Sequence, residues 1–122
     1  MVRCLTGNYL KASTSLDQAL KLQRDLSNRI GEAEVLNTMG ELAQASSSPV
    51  QAQALHQEAL TIATEIASPL QEARALEGIA QCLQDGQPGH DDELLHRALA
   101  IYERIGSPHA ERVAANLRQR DG

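Results

Sequence analysis

Apolar side chains recur along this chain at steps of three and four residues, the spacing that lines one face of an α-helix. One such series starts after a polar stretch and runs through Ile30, Ala33, Leu36, Met39 and Ala43. The next series runs through Ala52, Leu55, Ala59, Ile62 and Ile66. The pattern therefore predicts consecutive amphipathic helices that bury one face each.

Turn-forming residues separate these helical segments. Proline fixes φ and glycine tolerates left-handed backbone, so the clusters at 46–49 and 85–89 predict loops. The pairs Ser68-Pro69 and Ser107-Pro108 suit a helix start, with serine as N-cap and proline as the first helical residue. Residues 2–6 are expected to end another helix, followed by a turn at 6–8. The predicted helices span about 8–27, 30–45, 50–66, 69–84, 91–105 and 108–120.

The chain repeats itself at an offset of about 40 residues. Ala19-Leu20 recurs as Ala59-Leu60 and as Ala98-Leu99, and the Ser-Pro pair at 68–69 recurs at 107–108. A second element matches through Glu32 and Glu72, Ala33 and Ala73, Leu36 and Leu76, and Met39 and Ile79. Two helix types therefore alternate. We name the type at 30–45 and 69–84 helix A, and the type at 8–27, 50–66 and 91–105 helix B.

This order predicts an all-α array of about two and a half to three helix pairs with a closing helix at the C-terminus. The first helix B lacks its full helix A partner, so we expect the chain to be a piece of a longer solenoid. Stacked pairs of this kind gain their stability from packing between neighbouring repeats. Residues 1–122 are accordingly expected to form one repeat domain.

Composition and charge narrow the function classes. The chain has 18 Ala and 17 Leu but only 2% aromatic residues, which disfavours a β-sandwich or barrel. Its formal charge of −5 and the absence of a basic run argue against direct binding of nucleic acid. Cys4 and Cys82 lie far apart and are expected to be reduced thiols in the cytoplasm. No apolar stretch reaches the ~20 residues of a membrane span, and no signal peptide is expected.

The residues that could carry chemistry do not form a catalytic or metal-binding constellation. The run at 90–92 and His96 contain possible metal ligands, but His90 and His96 are six positions apart and face different sides of a helix. A polar helix start is the simpler interpretation. His56 lies among apolar residues and is expected to pack between helices. Phosphate-loop and nucleophile-elbow motifs are not found. We therefore expect neither an enzyme nor a cofactor or metal site.

Small residues at fixed places in both helix types resemble the tetratricopeptide repeat, here with a longer unit than its 34 residues. They are Gly40 and Ala80 in helix A, and Ala12, Ala19, Ala52, Ala59 and Ala98 in helix B. Six short sequence motifs follow one another along the chain: 5–9 (LTGNY), 28–33 (NRIGEA), 36–42 (LNTMGEL), 56–60 (HQEAL), 72–79 (EARALEGI) and 101–106 (IYERIG). These motifs are similar to those in the C-terminal repeats of SARP-type activators of actinobacteria. Those activators are multidomain proteins that also carry an NB-ARC module.

The resemblance implies a right-handed solenoid that binds a protein, a peptide or other domains of a parent transcriptional activator of antibiotic biosynthesis. Nothing in the chain matches a winged helix or a phosphate-binding loop, so those activities are not carried over. In such arrays the A helices line the concave surface, and their outward face would hold the partner. The expected groove residues are Glu34, Asn37, Glu41, Gln44, Arg74, Glu77, Gln81 and Gln84.

Three alternatives remain open from the sequence. The same polar residues also fit an ordinary solvated helix surface. A free-standing scaffold could instead self-associate through the incomplete first pair, whose apolar residues are Leu5, Leu10, Leu16 and Leu20. A peptide-binding adaptor is the third alternative, although the Lys and Asn pattern that clamps a C-terminal carboxylate in chaperone-binding repeats is not seen.

Overall fold

The computed structural model describes residues 2–46, 48–86 and 92–121. Within these ranges the secondary structure is helical, with no strand, which confirms the predicted all-α fold. The helices are α1 (Val2–Asp25), α2 (Arg29–Ala45), α3 (Pro49–Glu65), α4 (Pro69–Gly86), α5 (Asp92–Ile105) and α6 (His109–Asp121). α1, α3 and α5 are the B helices, α2 and α4 are the A helices, and α6 follows in the A position.

The prediction for the first helix is wrong at its start. The turn expected at 6–8 is helical, and α1 begins at Val2 rather than near residue 8. A glycine inside a helix costs only about 1 kcal/mol relative to alanine, so Gly7 does not by itself end a helix. The other five helices begin and end within two residues of their predicted bounds, because serine, proline and glycine mark those breaks clearly.

Each helix packs against the next one along the chain, and α2 also packs directly against α4. Alanines at these contacts let the helix backbones approach closely. Ala33, Ala59 and Ala75 come from α2, α3 and α4 and are completely buried together with Leu36. The second cluster joins α4, α5 and α6 through Ala73, Leu76, Ala80, Leu95, Ala98, Ile101, Tyr102, Val113 and Leu117.

The turn from each B helix to the next A helix has one geometry. Ser27, Ala67 and Gly106 stand at the same place in successive repeats, and their φ angles are 56°, 54° and 71°. Each turn is closed by a hydrogen bond characteristic of a Schellman motif. These bonds are Asn28 N–H to Gln23 C=O (2.8 Å), Ser68 N–H to Ala63 C=O (2.9 Å) and Ser107 N–H to Tyr102 C=O (2.9 Å).

An ion-pair network ties α1 to α2 and α3. Glu32 is 6% exposed and accepts from Arg24 at 3.0 Å and from Arg29 at 2.9 Å. Each arginine also reaches an exposed glutamate of α3, with Arg24 pairing with Glu58 at 3.0 Å and Arg29 with Glu65 at 2.8 Å. Because Glu32 is shared and largely shielded from water, this network holds the first three helices in register more firmly than isolated surface pairs would.

The edge of the array at α1 exposes apolar side chains. Leu22 is 54% exposed, whereas Ile62 and Ile101, at the same place in the later repeats, are 4% and 8% exposed. Ile62 belongs to a buried cluster that includes residues of α2, and Ile101 to one that includes residues of α4, the A helices that precede them. Leu26 and Ile30 extend this exposed edge. None of the helices described is long and apolar enough to cross a membrane.

Candidate functional site

A buried polar pair connects α3 to α2. His56 is 1% exposed and Asn37 is 0% exposed, and His56 Nδ1 lies 2.9 Å from Asn37 Oδ1. Asn37 Nδ2 donates to the backbone oxygen of Gln71 at 3.1 Å and to its Oε1 at 3.0 Å. Since the Asn37 amide nitrogen is the donor to α4, its oxygen is the acceptor for His56. The proton of the neutral imidazole therefore sits on Nδ1, and Nε2 is unprotonated.

The polar chain continues from this pair to the surface through Arg74. Its guanidinium donates to Gln71 Oε1 at 3.1 Å and across to α2, at Thr38 Oγ1 (3.4 Å) and Glu41 Oε2 (3.1 Å). The side chain of Arg74 is 18% exposed and that of Glu41 is 59% exposed. A continuous set of hydrogen bonds thus runs from the centre of the array to the outer faces of α2 and α4.

The imidazole of His56 lies where two glycines leave room for it. A Cβ atom added to Gly40 of α2 would lie 2.5 Å from His56 Nε2, and one added to Gly78 of α4 would lie closer still. Side chains at these two positions would collide with the ring, so the glycines allow both helices to close on it. Burial lowers the pKa of His56 to about 4, and the imidazole is neutral near pH 7.

A second buried polar group occupies the next repeat. Glu77 is 8% exposed and accepts a hydrogen bond from the Tyr102 hydroxyl at 3.0 Å. The guanidinium of Arg112 donates to the other oxygen of Glu77. Burial raises the pKa of Tyr102 to about 12, so its hydroxyl remains a donor at neutral pH. The Tyr102 ring also contacts the imidazole of His109, with 5.3 Å between the ring centres.

The structure separates the eight predicted groove residues into different environments. Glu34, Glu41 and Gln81 are exposed, and Arg74 is partly exposed. Gln44 is half-buried and accepts from the Cys82 thiol at 3.2 Å. The side chain of Gln84 lies outside the described residues.

The prediction that Asn37 and Glu77 line the outward groove is wrong, because both are buried and hydrogen-bonded inside the array. The prediction placed both side chains on the outward face because they are polar. In the structure they face helices that follow later in the chain.

Sequence reasoning placed His56 in the packing between helices, as the structure confirms, but missed its hydrogen bond and its two glycine neighbours. The small residue at position 40 was the only feature of the sequence that indicated this close packing. Among the described residues no group of three or more His, Cys, Asp and Glu side chains could hold a metal ion. Of the metal ligands considered at 90–92 and 96, His90 and Asp91 lie outside the described residues.

Sequence comparison assigns this helical array to a known repeat family. No curated protein and no solved structure matches the chain significantly. A family model for the tetratricopeptide repeat matches residues 1–65, which is more than half of the 122 residues. Helix pairs stacked with small residues at their contacts agree with that match. The chain therefore belongs to the tetratricopeptide repeat family, a non-catalytic fold whose modules mediate interactions between proteins.

Proposed function

We propose that this module binds a peptide segment of a partner protein across the outer faces of α2 and α4. The observation that carries the proposal is the bridge from Arg74 to Thr38 and Glu41, which fixes the two faces side by side. Exposed polar side chains flank this bridge, with Glu34 on α2 and Gln81 on α4. Amide and charged groups on adjacent helices can hydrogen-bond the backbone and side chains of an extended or helical peptide.

Preorganisation supports the same proposal. Gln71 holds the guanidinium of Arg74 from behind, and Asn37 holds Gln71, so the arginine is oriented before a ligand arrives. A side chain that is already ordered loses less conformational entropy on binding, which favours affinity. Glu34 and Glu41 outnumber Arg74 on this surface, so we expect peptides with neutral or basic residues to bind better than acidic ones.

A panned peptide library tests the proposal directly. A random heptapeptide phage library is selected on the 122-residue chain, and an enriched peptide is synthesised and measured by calorimetry. Arg74→Ala is expected to weaken binding about fivefold or more, because a hydrogen bond to a charged group is lost. Gln57→Ala, on the exposed side of α3, is the matched control and leaves the affinity unchanged. An affinity equal in wild type and Arg74→Ala would reject this surface as the binding site.

The resemblance to repeats of SARP-type activators supports a narrower role. We propose that the module is the regulatory repeat segment of a transcriptional activator, in which partner binding favours one arrangement of the parent protein. The test deletes the repeat segment from the protein that carries it and measures binding to its promoter and activation of transcription. If both are unchanged by the deletion, the regulatory role is rejected.

The apolar edge of α1 supports the alternative of a self-associating scaffold, because Leu22, Leu26 and Ile30 are all more than half exposed. Sedimentation over a wide concentration range separates the two functions. A peptide-binding module is expected to remain a monomer. A dimer that dissociates on replacement Leu22→Glu would instead support the scaffold.

A further inference from the structure

The B helix at the edge of the array is more exposed than the two B helices inside it. Three positions that are buried in both α3 and α5 are partly or largely exposed in α1, namely Leu16, Ala19 and Leu22. Their equivalents are His56, Ala59 and Ile62 in α3, and Leu95, Ala98 and Ile101 in α5. Within the described chain, α3 and α5 each pack between two helices, whereas α1 packs against α2 alone. The apolar edge of α1 is thus a B-helix face without the A helix that covers it elsewhere.

The A helices that cover α3 and α5 share one pattern on the covering face. In α2 and α4, two small residues seven positions apart and a leucine between them face the B helix that follows. These residues are Ala33, Leu36 and Gly40 in α2, and Ala73, Leu76 and Ala80 in α4. A helix that covers α1 in the same manner therefore needs this pattern.

A charged position at the end of α1 adds a second requirement. Glu65 of α3 forms an ion pair at 2.8 Å with Arg29, the first residue of the covering helix α2. Asp25 occupies the equivalent place in α1, forty residues earlier, and is exposed. A covering helix with a basic residue in its first turn therefore meets a carboxylate at this edge, as α2 does on α3.

A second copy of the chain does not offer such a helix. Its α2 and α4 are already packed between B helices, which leaves α6 at the far end of the array. At the places of Ala73, Leu76 and Ala80, α6 has Arg112, Ala115 and Gln119. A polar outer face of this kind is typical of a terminal capping helix and suits water better than the leucines of α1. The covering helix is therefore expected from a different protein.

We propose that the apolar edge of α1 binds an amphipathic helix of a partner protein in the way that α2 covers α3. The partner helix carries a basic residue in its first turn, followed by small residues and a leucine at the spacing of Arg29, Ala33, Leu36 and Gly40. An amphipathic helix that lays its apolar face on a hydrophobic surface is a common mode of recognition. This surface is separate from the outer faces of α2 and α4, so the inference does not depend on the proposed function.

A peptide of residues 28–45, the sequence of α2 with its N-cap, is the probe for this surface. Short helices are marginal in water, so the peptide carries Thr38→Lys, whose side chain is joined to Glu34 as a lactam on the face away from Leu36. The peptide is labelled with fluorescein and titrated with the 122-residue chain, and binding is followed by fluorescence anisotropy. Saturable binding is expected.

Substitutions on both sides locate the contact. Leu22→Glu in the chain is expected to weaken binding about tenfold or more, because a carboxylate replaces an apolar contact. Val50→Glu is the matched control, since Val50 is an exposed apolar residue of α3 away from α1, and it leaves the affinity unchanged. Leu36→Glu in the peptide is expected to weaken binding as strongly as Leu22→Glu does.

A charge exchange tests the orientation of the bound helix. Asp25→Lys in the chain is expected to weaken binding of the original peptide about threefold, because an ion pair is replaced by a repulsion. The same variant is expected to bind a peptide with Arg29→Glu more tightly than it binds the original one. A basic residue in the last turn of α1 suits the helix dipole, so this variant keeps the fold.

The outcomes divide clearly. Saturable binding that is lost with Leu22→Glu, kept with Val50→Glu and restored by the charge exchange supports the inference. Absence of binding, or an affinity that Leu22→Glu and Asp25→Lys leave unchanged, overturns it. A chain that binds no peptide but sediments as a dimer dissociated by Leu22→Glu also overturns it, and assigns the edge to a second copy. Loss of peptide binding at Arg74, by contrast, concerns only the proposed function.

Discussion

Asn37 and Glu77 occupy the same place in successive A helices, and each is buried with hydrogen bonds to the next B helix and the next helix after it. Asn37 bonds to His56 of α3 and Gln71 of α4. Glu77 bonds to Tyr102 of α5 and is joined by Arg112 of α6. One position of the repeat therefore joins three helices at both junctions, through a neutral amide in one case and a carboxylate in the other.

Replacing Asn37 tests the first junction. Asn37→Ala removes the acceptor of His56 Nδ1–H and the donor to Gln71, and these groups stay buried. We expect the free energy of unfolding to fall by about 2–3 kcal/mol, with a lower melting temperature in circular dichroism. Glu34→Ala, an exposed change in the same helix, is the control and shifts stability by less than about 0.5 kcal/mol. Equal stability of the two variants would contradict the buried role of Asn37.

Gly78→Ala tests the close approach of α4 to His56. Alanine normally stabilises a helix relative to glycine by about 1 kcal/mol, but here its Cβ collides with the imidazole. We expect a net loss of about 1–3 kcal/mol in chemical denaturation, as for other overpacked cores.

Gly31→Ala provides the comparison for that substitution. The added Cβ at Gly31 meets mainly the end of the flexible Gln23 side chain, which can move aside. We expect this variant to be as stable as the wild type or slightly more stable. A Gly78→Ala protein that gains stability as well would show that the helix does not need glycine there.

The left-handed turn at residue 67 carries avoidable strain. Alanine at a φ of 54° is disfavoured by about 1 kcal/mol or more relative to glycine, which stands at the equivalent position 106. Ala67→Gly is therefore expected to raise the melting temperature, and Gly106→Ala to lower it. Thermal denaturation of both single variants checks the two directions, and shifts of the same sign would refute the shared turn geometry.

The stability of the fold should depend on pH through His56. Its pKa is about 4 in the folded protein and near 6.5 when unfolded, so the unfolded chain binds the proton first as the pH falls. The free energy of unfolding is therefore highest above about pH 6.5. It decreases by about 3 kcal/mol in all as the pH falls toward 4. Denaturant titrations from pH 7 to pH 4 measure this loss.

Histidine substitutions separate His56 from other titrating groups. The variant His56→Phe is expected to have a flatter profile between pH 6.5 and 4, although its stability at neutral pH is lower. His96→Gln, at an exposed position in the next B helix, leaves the profile unchanged. An identical slope in wild type and His56→Phe would mean that another group accounts for the loss.

Local sequence determines much of this fold, because helix periodicity and the breaks at Ser-Pro and glycine positions are short-range signals. The same reasoning failed at Gly7, where the neighbouring residues continue the helix through a weak helix former. It also failed at Asn37 and Glu77, whose partners lie 19 to 35 residues further along the chain. Burial of those side chains depends on which helix meets which, and the periodicity of a single helix does not contain that information.

The shared left-handed turns have a consequence for how such an array can diverge in evolution. Ser27, Ala67 and Gly106 give the same backbone path with three different side chains, so the direction in which each A helix leaves the preceding B helix is set by main-chain hydrogen bonds. Mutation can then alter the exposed side chains of the helices while the path of the chain is retained. Binding preference thus depends on the helix surfaces, whereas the direction of the chain between helices depends on the turns. The binding preference can therefore change in evolution while the turns keep their geometry.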